Sequence, residues 1–158
     1  MRLPVYFLAV SGGTLIQSTV VPVLGIGGIV PDLPLVLVVL LALRRGPETG
    51  CAVGFTLGLL QDAIVGGPLG LQALSKAVVG FMTGDLPRWW LITNPLVPVA
   101  AVVVATVADG ALRFAVLQLF HYPAAFGELL GAVILPQAAY NGVLAAAVVA
   151  VPVFRARA

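Results

Sequence analysis

The chain has 158 residues, of which 61% are apolar and only 9% charged, with a formal net charge of +2. A soluble domain carries roughly 25% charged residues, so this composition leaves no material for a water-facing shell, and the length suits a single domain over 1–158. The positive balance comes from scattered arginines rather than a basic run, which excludes a nucleic-acid footprint and points to anionic lipid.

In chain order, six apolar stretches read as membrane spans: about 3–22, 29–43, 47–65, 69–86, 95–119 and 127–153. The first is too long for the apolar core of a cleaved signal peptide, and five more follow. Arg2 precedes the first span, Arg44 and Arg45 follow the second, Arg88 follows the fourth, and Arg155 and Arg157 follow the last. The opposite ends carry no Lys or Arg. This alternation is the positive-inside pattern of an even number of spans and puts both termini in the cytoplasm. Trp89 and Trp90 read as an interfacial belt on the inner side, and His121 and Tyr122 mark the outer boundary after span five.

The second span is short, since a helix from Asp32 to Leu43 reaches only about 18 Å. A re-entrant loop there would strand Arg44 and Arg45 outside, so the segment is read as a crossing. Pro31 and Pro34 then mark an irregular entry with Asp32 as the helix cap. Such backbone must be covered by protein, because lipid cannot satisfy its polar groups.

Small residues recur every four positions: Gly50, Gly54 and Gly58 in span three, Gly80 and Gly84 in span four, Gly127 and Gly131 opening span six, with Gly142, Ala146 and Ala150 beyond. That spacing puts them on one helix face, where backbones approach closely. The face serves either packing inside one bundle or docking of a partner helix, and it permits self-association.

Ionisable residues inside spans are costly and are candidates for function. Asp62, Lys76, Asp109 and Arg113 qualify, all in the outer half by topology. Asp109 and Arg113 are four apart with the acid first, the favourable helical order. Asp62 and Lys76 straddle a tight outer turn and are placed to pair. Gln17, Ser18, Thr19, Gln61, Gln72, Ser75, Gln118 and Glu128 add polarity at a similar depth. Gln137, Tyr140 and Asn141 form a mid-membrane patch on span six. The cluster either locks the bundle internally or lines an outward polar cavity.

Catalytic constellations are missing. His121 is the only histidine, so paired-histidine zinc chemistry is excluded, and no span offers a Ser–His dyad or a phosphate loop. Asp62 and Asp109 each have a basic neighbour, which argues against a proton-sharing dyad. Cys51 is alone, so there is no intrachain disulfide or thiolate metal cage. No span shows the sustained polar stripe of a channel. The expectation is a protein without catalytic residues, metal or cofactor.

One ordered set of residues goes further. Pro31-Asp32-Leu33 leads an apolar helix, then Arg45-Gly46-Pro47, Gly54-Phe55, Gly58-Leu59-Leu60, Asp62, Gly67-Pro68-Leu69-Gly70-Leu71, Ala73-Leu74, Gly80-Phe81 and Gly84. This set, about a third of the chain, resembles the rod-shape-determining protein MreD family, and Asn141 in the last span also suits it. The resemblance implies an all-α integral membrane protein, a compact bundle of six transmembrane helices similar to the S components of energy-coupling-factor transporters. It implies a non-enzymatic inner-membrane part of the bacterial cell-elongation complex that binds MreC and acts with MreB, RodA and a class-B penicillin-binding protein in lateral peptidoglycan synthesis. It assigns a role and no catalytic site, so Pro31, Asp32, Asp62, Gly67, Pro68, Gly70 and Asn141 carry over as structural or interface residues. The rival reading is a small-molecule-binding membrane module like an S component.

Overall fold

The structure is a computed structural model that describes residues 29–65, 68–87, 94, 96–121 and 126–150. The expected first span at 3–22 lies outside the described residues, as do Gly67, Trp89, Trp90, Tyr122 and the terminal arginines. The described residues form five helices: α1 Leu33–Arg45, α2 Pro47–Val65, α3 Leu71–Gly84, α4 Val97–Leu119, and α5, which runs through Phe126–Leu129, a π-turn at Leu130–Ile134 and Leu135–Ala150. By length and composition, α4 and the 127–150 stretch are long and apolar enough to cross a membrane.

The second span is the one whose bounds change most. Its helix starts only at Leu33, so α1 is about 20 Å long. Asp32 caps it, with its side chain accepting from the Leu35 N–H at 3.0 Å, as expected. Arg44 and Arg45 occupy its last turn, where the helix dipole favours cations. Gly46 then turns the chain at φ +98°, a backbone region suited to glycine, and Pro47 opens α2 at once.

α1 is the central helix, touching each of the other four. Leu35, Val36, Val39, Leu40 and Leu43 form the apolar core with Val79 of α3, Val102 and Ala105 of α4 and Ala145 of α5. Outward sides are also apolar: Phe55, Leu59 and Ile64 on α2, Phe81 and Met82 on α3, and Val104 and Val143 are exposed. Lys76 and Asp109, by contrast, are 0% exposed. Charge inside and apolar side chains outside is the inverse of a water-soluble surface and suits a hydrocarbon solvent.

The glycine rows are used inside this bundle. α2 and α3 run antiparallel in one register, with Gly50 against Gly80, Gly54 against the Lys76 carbonyl and Gly58 against Gln72 and Ala73. Gly84 closes the row against Gly46 and Pro47, where an added Cβ would lie 2.6 Å from Pro47 Cα. A methyl at any of these positions would strike partner backbone, which cannot swing away as a side chain can. The face formed by Gly50, Gly54, Gly58, Gly80 and Gly84 is therefore a packing face filled by the chain itself, and no groove remains along it for a partner helix. Gly142 packs on Val103 of α4, whereas Gly127 and Gly131 have open space where a Cβ would stand.

The π-turn in α5 has a local cause. Pro136 lacks the N–H that the Ala132 carbonyl would receive, and the widened turn just before it accommodates the ring. The Leu135 N–H reaches back five residues to the Leu130 carbonyl.

Gly54→Ala should cost about 1–3 kcal/mol through overpacking and lower the midpoint of thermal unfolding in detergent, while Gly131→Ala should leave it within experimental error. Equal midpoints for the two variants would contradict the α2–α3 register.

Candidate functional site

The site begins at a break in regular structure. Residues 29–31 precede the first helical hydrogen bond of α1, which the Asp32 carbonyl accepts from the Val36 N–H at 3.1 Å, so the polar groups of this entry need other partners. α5 supplies them: Gln137 Nε2 donates to the Val30 carbonyl at 2.9 Å, and the Asp32 N–H donates to Asn141 Oδ1 at 2.9 Å. Pro31 has no N–H to satisfy. Gln137 and Asn141 are four apart, so one face of α5 holds both the Val30 carbonyl and the Asp32 N–H. Asn141 is oriented in turn by α4, donating through Nδ2 to Thr106 Oγ1 at 3.1 Å, while that hydroxyl donates to the Val102 carbonyl at 2.8 Å.

Asp32 carries its charge into this buried place. Its Oδ1 caps α1 and accepts from Gln61 Nε2 at 3.4 Å. Its Oδ2 lies 2.8 Å from Lys76 Nζ. Lys76 also donates to Gln72 Oε1, one helical turn away, at 2.6 Å, and stands 3.9 Å from Asp109 Oδ2. Asp109 accepts from Ser75 Oγ at 2.7 Å and pairs with Arg113 at 2.9 Å across one turn of α4. The Arg113 side chain, 22% exposed, forms the rim of the cluster, with a second nitrogen 3.5 Å from Gln72 Oε1.

Two acids and two bases thus form one tetrad, Asp32–Lys76–Asp109–Arg113, with no net charge. Neutrality matters, because an unpaired ion in a membrane interior is expensive whereas a paired and hydrogen-bonded one is tolerated. The tetrad joins α1, α3 and α4, with α2 and α5 attached through Gln61 and Asn141.

The sequence-based cluster is brought together only in part. Gln72, Lys76, Asp109 and Arg113 converge, and the expected pairing of Asp109 with Arg113 is present. Lys76 pairs with Asp32 rather than with Asp62. The Asp62 carboxylate instead accepts from the backbone N–H groups of Gly70 at 2.9 Å, Gln72 at 3.1 Å and Ala73 at 3.2 Å. It caps α3, whose own N-cap residue, Gly70 at φ +96°, has no side chain to do so. Three N–H donors at a helix N-terminus stabilise the carboxylate without a cation. Glu128 is exposed on the first turn of α5 and joins no ion pair among the described residues. Pro68 is exposed in the turn before α3.

One charged member was visible in the sequence only in another role. Asp32 reads as a cap, and its position on the irregular entry gives no sign of a counter-ion 44 residues later. Ser75 belongs to the outer polar residues singled out in the sequence and does join the cluster through Asp109, whereas Thr106, a lone hydroxyl in an apolar helix, gives no signal there. The signal that could have found Asp32 is the charge balance: with Asp62 needed at the α3 terminus, Lys76 lacks an acid, and Asp32 is the remaining carboxylate expected beside buried helix backbone.

The sequence profile of the family described as rod shape-determining protein MreD matches residues 2–156. The chain belongs to the MreD family. The match spans essentially the whole chain, well beyond the block of residues from Pro31 to Gly84 that first suggested it. No curated protein and no solved structure matches the chain significantly. Membership in MreD gives the tetrad its setting, a membrane protein family of rod-shape determination.

A double-mutant cycle tests the pairing. Asp32→Asn with Lys76→Gln should show a coupling of about 0.5–3 kcal/mol, whereas Asp62→Asn with Lys76→Gln should be additive within about 0.5 kcal/mol. Stability measured by unfolding in mixed detergent reads both cycles, and the reverse ranking would refute the assignment.

Proposed function

We propose that this chain is the MreD component of the bacterial cell-elongation machinery, a six-span inner-membrane protein with both termini in the cytoplasm. In this reading it binds MreC through transmembrane and juxtamembrane contact, and acts with MreB, RodA and a class-B penicillin-binding protein to direct lateral peptidoglycan synthesis. The observation that carries the reading is the family match over residues 2–156. The bundle is consistent with a scaffold resembling an S component.

The internal chemistry supports a scaffold over a ligand carrier. A binding module keeps its charged groups ready for a ligand, but here the ions engage one another. Lys76 is completely buried, with Asp32, Gln72 and Asp109 around it. The glycine rows are likewise occupied by the chain's own helices. What the bundle offers a partner is a rigid body with apolar outer faces. Association of helices in lipid then relies on close packing and interhelical polar contacts.

Co-expression with the MreC of the same organism should yield a complex that survives detergent extraction and size exclusion. A monodisperse protein that elutes alone in the presence of MreC would overturn the reading. Stabilisation of that lone protein by a small molecule would then favour the ligand-binding module.

A further inference from the structure

α1 is enclosed around most of its circumference, with one stripe left over. Ala42 meets Gly50 of α2, Val38 meets Gly80 of α3, and Leu35, Val36, Val39, Leu40 and Leu43 enter the core shared with α4 and α5. Leu33, Leu37 and Leu41 are only half-buried. They are four apart, so they line one face along about 12 Å of the helix. On one flank Leu37 packs beside Val53 and Leu57 of α2. On the other, the entry to α1 is held by Gln137 and Asn141 of α5. The stripe therefore faces a notch between α2 and α5, the side of the central helix on which no described helix is centred.

The chain itself supplies an occupant. Val30 is fixed against Gln137 of α5, and residues 23–28 join that entry to the apolar stretch 3–22. Six residues reach at most about 20 Å when extended. Neighbouring helix axes stand about 8–10 Å apart, so the link reaches the notch with slack, whereas the outward faces of α3 and α4 lie across the breadth of the bundle and need it at full stretch. Side-chain sizes match too. Ala9, Gly13 and Gln17 are four apart in the sequence, so the stretch offers small residues to the leucines of the stripe. Gln61 adds a polar mark at the outer end of the α2 flank: its Nε2 donates to Asp32, and its buried Oε1 has no hydrogen bond.

We infer that residues 3–22 dock in the notch between α2 and α5, antiparallel to α1. Ala9 sits against Leu41, Gly13 against Leu37, and Gln17 at the level of Leu33, where its amide donates to Gln61 Oε1. The central helix is then enclosed on every side, and the small residues let the first span approach it closely. The docking rests on the six-span topology proposed above, which sets the antiparallel course.

Disulfide trapping of the full chain in native membranes, in a Cys51→Ser background, tests the docking. Ala9→Cys with Leu41→Cys, and at the other end Gln17→Cys with Leu33→Cys, should each close a bond within one chain on mild oxidation. The readout is loss of both maleimide–polyethylene glycol gel shifts after denaturation. Ala9→Cys paired with Val104→Cys on α4 or with Met82→Cys on α3, both exposed positions, should keep both shifts. Closure with Val104→Cys or Met82→Cys instead would place the segment elsewhere and overturn the inference. A Leu41→Cys dimer between chains would give the notch to a second copy and overturn it as well. Topology is read separately: Arg2→Cys should react with an impermeant maleimide from the cytoplasmic side only. Labelling from outside would overturn the topology and this register with it, whereas correct labelling without closure of either pair would overturn the docking alone. If one pair does not fold, the pair at the other end still decides.

Discussion

Backbone without helical hydrogen bonds cannot lie bare in hydrocarbon, and the chain enters its central helix through such a segment. Asp32 settles that difficulty and creates another. Its carboxylate caps α1, its N–H is held by Asn141, and the charge it brings requires a cation in the interior. Lys76 provides the cation at 2.8 Å. The rest of the polar interior follows from this pair: Gln72 and Asp109 around the ammonium, Ser75 and Arg113 around Asp109, Thr106 behind Asn141. A position that starts as a helix cap ends as the centre of a four-charge network linking three helices.

The glycine row is part of the same arrangement. Gly54 faces the Lys76 carbonyl, so α2 and α3 are in backbone contact at the level of the ion pair. α3 is thereby fixed against α2, and its far side presents Lys76 to α1 and α4. In lipid, close packing replaces the hydrophobic drive that would hold these helices in water. Small residues and buried ions thus play complementary parts, one setting the distance between backbones and the other the relation between helix pairs. A MreD protein with this interior presents its partners with apolar faces on a body whose internal polar demands are largely met.

Much of the fold was legible in the sequence because lipid leaves a chain few options. The α2 limits, 47–65, follow from charge and hydropathy alone, and the four-residue spacing of Gly50, Gly54 and Gly58 marks a close face. The irregular entry at Pro31 and Pro34, the Asp32 cap and the Asp109–Arg113 pair are local features and were readable as such. The Asp32–Lys76 pair was not, because nothing in a sequence reports contact across 44 residues. Asp62 misled for a physical reason: a carboxylate near a lysine across a tight turn suggests an ion pair, yet a helix N-terminus with no capping side chain competes for it and wins with three N–H groups. Glu128 lies at the expected height but on the exposed side of α5, since depth along a helix does not give direction around it. Gln137 and Asn141 were visible as a polar patch, but their purpose depended on a segment 107–109 residues away.

The most direct measurement uses the single lysine. With Lys76 labelled at 15Nζ and the aspartates at 13Cγ, solid-state NMR in lipid bilayers reads which carboxylate lies closest to the ammonium. The strongest nitrogen–carbon dipolar coupling should vanish in Asp32→Asn and persist in Asp62→Asn. A coupling that survives Asp32→Asn and disappears in Asp62→Asn would contradict the pairing on which this account of the interior is built.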